Sequence, residues 1–169
     1  MGIVRTTSFA LLVGVLLGCV APPQVAPPGS DALRRRFSAE EVGEVLREEG
    51  YGSVSVQGTN VSFKADGMSY LLSIYEDGDL QLYFGLTGIE VAPEVVNEWN
   101  RTRRLTRAYL DTENDPVLET DLLSDAGLSR SMLVRWVQVF LQGAGLYHAY
   151  LSEHGRLESL PAAASPASI

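Results

Sequence analysis

The chain holds one cysteine, Cys19, so no disulfide can form within it even in an oxidising compartment. It holds two histidines, His148 and His154, which fall at and just beyond the end of the last expected helix. No serine–aspartate pair or cysteine lies near either, so a histidine-centred nucleophilic site has no visible partners. Basic residues are scarce: from Phe37 onward there are nine against 20 acidic ones. Such a surface repels phosphates and argues against a nucleic-acid partner. No glycine-rich phosphate loop follows an expected strand. No cofactor motif is found, and no apolar run reaches the ~20 residues that span a bilayer.

What is present begins at the N-terminus. Arg5, the apolar stretch Phe9 to Leu17, and Leu16-Leu17-Gly18-Cys19 resemble a bacterial lipoprotein signal. That resemblance implies cleavage after residue 18 and acylation of Cys19, giving a membrane partner through the lipid anchor. Val20, where aspartate would retain many lipoproteins at the inner membrane, favours the outer membrane of a Gram-negative cell, facing the periplasm. Residues 19–36 follow as a tether: Pro22-Pro23 and Pro27-Pro28 favour polyproline II, which at ~3.1 Å per residue could extend ~50 Å. Arg34 to Arg36 read as a solvated charge run, with clamping of anionic lipid as the alternative. The stretch 154–169 lacks apolar periodicity and is expected to be a disordered tail.

Residues 37–153 carry the expected domain. Ser38 and Glu41 form a capping box and Phe37 and Val42 a hydrophobic staple, which predicts a helix from Ala39 to a left-handed stop at Gly50. Period-two alternation then predicts four strands, centred on Val54 and Val56, on Val61 to Ala65, on Tyr70 to Ile74 and on Leu80 to Leu86. They are separated by Asp66-Gly67 and similar turns. Pro93 suits the first turn of a second helix, with Val95, Val96, Trp99 and Arg103 at helical spacing. Strands over 105–111 and 117–123 and a helix over 131–152 complete the order α-β-β-β-β-α-β-β-α. Gly143 and Gly145 predict a kink or break in that last helix. The class is α+β, a single antiparallel sheet with helices packed on it.

Asn97-Glu98-Trp99-Asn100-Arg101, Arg107-Ala108-Tyr109-Leu110-Asp111, Asp115-Pro116-Val117-Leu118-Glu119 and Trp136 together resemble the YbjN domain family. The resemblance covers roughly Phe37 to Tyr150. It implies a fold similar to type III secretion chaperones and a role described for the family as sensory transduction regulation, with no catalytic residues to carry over.

The residues themselves offer few sites. Asp111-Thr112-Glu113-Asn114-Asp115 has oxygen ligands at alternate positions. A calcium loop starting at Asp111 would, however, need glycine where Pro116 stands and glutamate where Leu122 stands, so turn chemistry explains it and no metal is assigned. Trp99 reads as core. Asn97 and Asn100 flank it, either bonding backbone at the helix end or serving a binding role. Arg101, Arg103, Arg104 and Arg107 hold four of the nine basic groups within seven residues. They either complement the helix dipole and the protein's own carboxylates or form a docking surface for an acidic segment.

Three functions remain open on this reading. One is a tethered, non-enzymatic module that binds a protein or peptide partner, with a homodimer as one form. Another is a small envelope hydrolase with an unrecognised carboxylate site. The third is a structural lipoprotein without a client. An exposed apolar patch beside the arginines would favour the first.

Overall fold

The computed structural model describes residues 31–157. The first helix, α1 (Ala39–Glu48), begins where the capping box requires. The Ser38 hydroxyl accepts from the Glu41 N–H at 3.2 Å, and the Glu41 carboxylate accepts from the Ser38 N–H at 2.9 Å. Phe37 and Val42 are both buried, which fixes the entry of the chain.

Strands β1 (Gly52–Gln57), β2 (Asn60–Ala65), β3 (Met68–Ile74) and β4 (Leu80–Gly85) form a consecutive antiparallel ladder. Asp66 and Gly67, at φ 49° and 79°, make the two-residue turn whose twist suits a hairpin. Alternation sends Val61, Phe63, Tyr70, Leu72, Leu80, Leu82 and Phe84 into the core. After a short β5 (Ile89–Glu90) come α2 (Pro93–Thr102), β6 (Arg107–Leu110), β7 (Pro116–Leu122), α3 (Arg130–His154) and β8 (Arg156–Leu157). The main sheet has the order β1-β2-β3-β4-β7-β6, so β7 lies between β4 and β6, and β6 is an edge.

The helices cover one face. Helix α1 lies over β1 and β2 and against α3; α3 lies over β4 and β7; α2 packs beside β6. The Trp99 ring sits 4.9 Å from that of Tyr147, which joins α2 to α3. The α+β class, the single antiparallel main sheet and the expected element order are all present, with two short strands added. Those strands, β5 and β8, pair with each other and tie the chain after α3 to the segment before α2. Residues 155–157 therefore continue the domain where a tail was expected.

Three other expectations change. Helix α3 runs unbroken through Gly143 and Gly145. Phe140, Ala144, Tyr147 and Leu151 are buried on both sides of the glycines, and ~1.5–3 kcal/mol from each large side chain outweighs ~1 kcal/mol per glycine. The strand expected over 105–111 is only Arg107–Leu110, because Leu105 stands at φ 70°, outside the extended region.

The segment from Asp31 to Arg36 is not a free-standing part of the tether. Arg34 exchanges backbone hydrogen bonds with Leu128 at 2.8 and 2.7 Å. Its guanidinium reaches Glu41 at 2.8 Å and lies 5.3 Å from the Phe37 ring centre, so Arg34 leaves the solvated run while Arg35 and Arg36 stay exposed. The Asp31 carboxylate accepts from the N–H and the hydroxyl of Ser131, each at 2.9 Å, at the start of α3. Cys19, the expected signal and the proline-rich residues, and residues 158–169 of the expected tail lie outside the described residues.

Candidate functional site

The Asn97-x-Trp99-Asn100 box divides into three roles. Trp99 is buried, and its indole N–H donates to the Thr106 hydroxyl at 3.3 Å. Asn100 turns its carboxamide to β6. Its Nδ2 donates to the Ala108 carbonyl, and its Oδ1 accepts from the Ala108 N–H, both at 2.8 Å. Those are the bonds a neighbouring strand would make, so one side chain satisfies the middle of an edge that would otherwise be open to pairing. Asn97 is exposed and makes neither contact.

The four arginines separate in the same way. Arg101 holds Glu98, one turn back, through a two-pronged pair with contacts of 2.7 to 2.9 Å. Arg107 pairs with Glu119, whose second oxygen accepts from the Tyr109 hydroxyl at 2.8 Å. Glu119 is buried on the sheet face away from the helices, and both of its oxygens are taken, which leaves it poorly placed for acid–base chemistry. The Arg103 guanidinium lies 5.4 Å from the Trp99 ring centre. Arg104 is exposed in the loop after α2 and makes none of these pairs. The local positive cluster is thus largely engaged with the protein's own groups, with Arg104 presented to water.

Next to Arg104 the chain exposes an apolar cleft. Leu105, Leu122, Met132, Trp136, Val139 and Phe140 line a groove of about 630 Å³, with Asp121 and Arg135 as its charged lining. The groove runs between the end of the sheet and the first half of α3. Leu105 is 69% exposed and Met132 45%, large apolar side chains left open to water on two sides of one concavity. The size is that of a ligand-binding cleft. In its wall the Trp136 indole N–H is closed off from water and has no partner among the described residues. Sequence reading missed this groove. Leu105 reads as strand, Met132 does not stand out, Trp136 and Phe140 read only as part of the apolar stripe of the last helix, and the lining comes from three separate stretches of chain.

The other candidates carry less. A polar cleft of about 700 Å³ is lined by Glu90, Glu113, Asp115 and His154 among others. His154 lies 2.8 Å from the Tyr150 carbonyl and stacks on the Tyr150 ring, as a histidine at a helix end does. Asp111 Oδ1 accepts from the N–H groups of Glu113 and Asp115 at 2.9 Å, closing the β6–β7 turn. No group of three metal-ligating side chains occurs among the described residues, and no described helix is long and apolar enough to cross a membrane.

No curated protein matches the chain. A solved structure, the Yersinia pestis type III secretion chaperone SycH in complex with a stable fragment of YscM2, is similar at 13% identity with a TM-score of 0.48. The similarity covers 64% of this chain and 97% of that one. The family model for YbjN, "Putative bacterial sensory transduction regulator", matches residues 38–153, from the Ser38 cap to the last turn of α3. By that match over most of its length, the chain belongs to the YbjN family.

Proposed function

We propose that this protein is a non-enzymatic, membrane-tethered module of the cell envelope that binds an apolar segment of a protein or peptide partner, with a regulatory role. The observation that carries the reading is the groove. Leu105 and Met132 stand open to water across a concavity beside Arg104. Burying apolar surface of this kind contributes ~25 cal/mol per Å², and exposed arginines at the rim add orientation toward acidic flanks. The family's regulatory description fits a binding domain, and the closed arrangement of Glu119 with Arg107 and Tyr109 gives a hydrolase no free carboxylate there. The lipobox-like sequence ending in Cys19 supports an anchor, with the domain facing the periplasm from the outer membrane.

The test is a photoreactive residue at Leu105 in intact cells, with the captured chain identified and the crosslinked segment mapped. The expected product is an apolar segment, a second copy of this chain included, whose capture falls on Met132→Asp and weakens on Arg104→Glu. Capture indifferent to both substitutions in folded protein would reject the groove as the binding site.

A further inference from the structure

We infer that the free protein fills this groove with its own proline-rich segment, residues 20–28, bound as a polyproline II ligand. The inference rests on the groove being a binding surface and names its first occupant.

Position supports it. Asp31 is fastened to Ser131, and Ser131 itself lines the groove. A second cleft, lined by Asp31, Ser131, Val134, Arg135 and Gln138 among others, shares Ser131 and Arg135 with the first. The chain therefore enters the domain at the lip of the groove. From Cys19 to Asp31 is 12 residues, a reach of ~37 Å at ~3.1 Å per residue, ample to lie along it.

Chemistry supports it independently. Val20-Ala-Pro-Pro-Gln-Val-Ala-Pro-Pro28 carries no charge and matches a mostly apolar lining. Polyproline II chains dock in aromatic-lined grooves because they lose little entropy on binding. Trp136 and Phe140 give this groove an aromatic lining of that kind. A segment joined by a short linker is present at an effective concentration in the millimolar range, so even weak docking is populated. Engaging a partner and releasing the tether then become alternative uses of one surface.

The experiment places a photoreactive residue in the full chain at Met132, with a control at Leu146. Both side chains are exposed on α3, 14 residues and ~21 Å apart, so both lie within the tether's reach. Crosslinks to residues 20–28 of the same molecule are expected from Met132 and not from Leu146. They should disappear when Pro22, Pro23, Pro27 and Pro28 are changed to serine. The same four substitutions should move the Trp136 indole N–H resonance and leave that of Trp99 in place. Equal crosslinking from both positions would reduce the result to proximity and overturn the inference. Capture of another chain by Met132, with no tether crosslink and a fixed Trp136 resonance, would also overturn it while leaving the groove as a binding site. No capture by any chain and no movement of Trp136 would remove both readings.

Discussion

Asn100 offers the sharpest test of how the fold is held. Replacing it with alanine removes two hydrogen bonds of 2.8 Å and leaves the N–H and carbonyl of Ala108, which is 3% exposed, without partners. Stranding a buried polar group costs ~1–3 kcal/mol, and Asn100 itself borders solvent, so water recovers part of the loss. The expected destabilisation is ~2–4 kcal/mol out of ~5–15 for a domain of this size. In a thermal unfolding experiment that is a fall on the order of 10 °C. Asn100→Asp keeps the shape and the acceptor but sets a lone pair against the Ala108 carbonyl, so it should be at least as damaging. That outcome separates hydrogen bonding from packing. Asn97→Ala, on the exposed side of the same helix, should stay within ~0.5 kcal/mol. With its edge uncovered, β6 should also recruit other strands, read as concentration-dependent oligomers in size-exclusion chromatography. An Asn100→Ala variant within ~0.5 kcal/mol of the parent, or a fully stable Asn100→Asp, would refute this account.

Trp99→Ala should cost ~3–5 kcal/mol through the cavity left against Tyr147 and Tyr150; cooperative unfolding at the parental temperature would contradict its place in the core. The Asp31 carboxyl is held below its ordinary value, chiefly by the Ser131 N–H and then by the hydroxyls of Ser131 and Ser129. Because the folded form is the more acidic one, its stabilisation is complete above the ordinary value near 4 and is lost as pH falls through the lowered one. Hydrogen exchange at the Ser131 amide should therefore accelerate on acidification below about pH 4. Asp31→Asn should make that exchange independent of pH over the same range, beyond its intrinsic chemistry. Cys19→Ala should abolish incorporation of a fatty-acid label in cells, and label retained on that variant would count against the lipobox reading.

The parts of this fold that could be read from sequence are those whose causes are local. The Ser38–Glu41 box lies within four residues, the Asp66-Gly67 turn within two, and the alternation of β2 to β4 is written strand by strand. What stayed hidden depends on distant partners. Placing β7 between β4 and β6 depends on pairing Phe84 with Leu118 and Leu118 with Ala108, which no local pattern encodes. The β5–β8 pair is two residues long on each side, too short for any periodicity. Glycine propensity at 143 and 145 argued for a break, and only the buried positions beyond, Tyr147 and Leu151, explain why the helix continues. At the candidate site the arginines stood out in sequence because they are clustered. Glu98, already within one turn of Arg101, was a visible reason to expect pairing, whereas Glu119 reaches Arg107 only through the strand register. The groove could not be anticipated, since its apolar lining gathers residue 105, the end of β7 and the first turns of α3.

The position of α3 after the strands it covers has a consequence for how the protein is made. Strands β1 to β4 can pair as each emerges, since every partner precedes the next by a short turn. The apolar side they build, including Phe84 and Leu82, lacks the cover of α3 until residues 130–154 have left the machinery that synthesises them. Until then the growing chain is a half-covered sheet, with the hazards of an open apolar face. Closure has to wait for Leu133, Val137, Phe140, Tyr147 and Leu151, which complete the core in the finished fold. A premature stop or a cut within α3 should therefore abolish the folded state as a whole, not trim it, and rapid degradation of such fragments is the expected cellular fate.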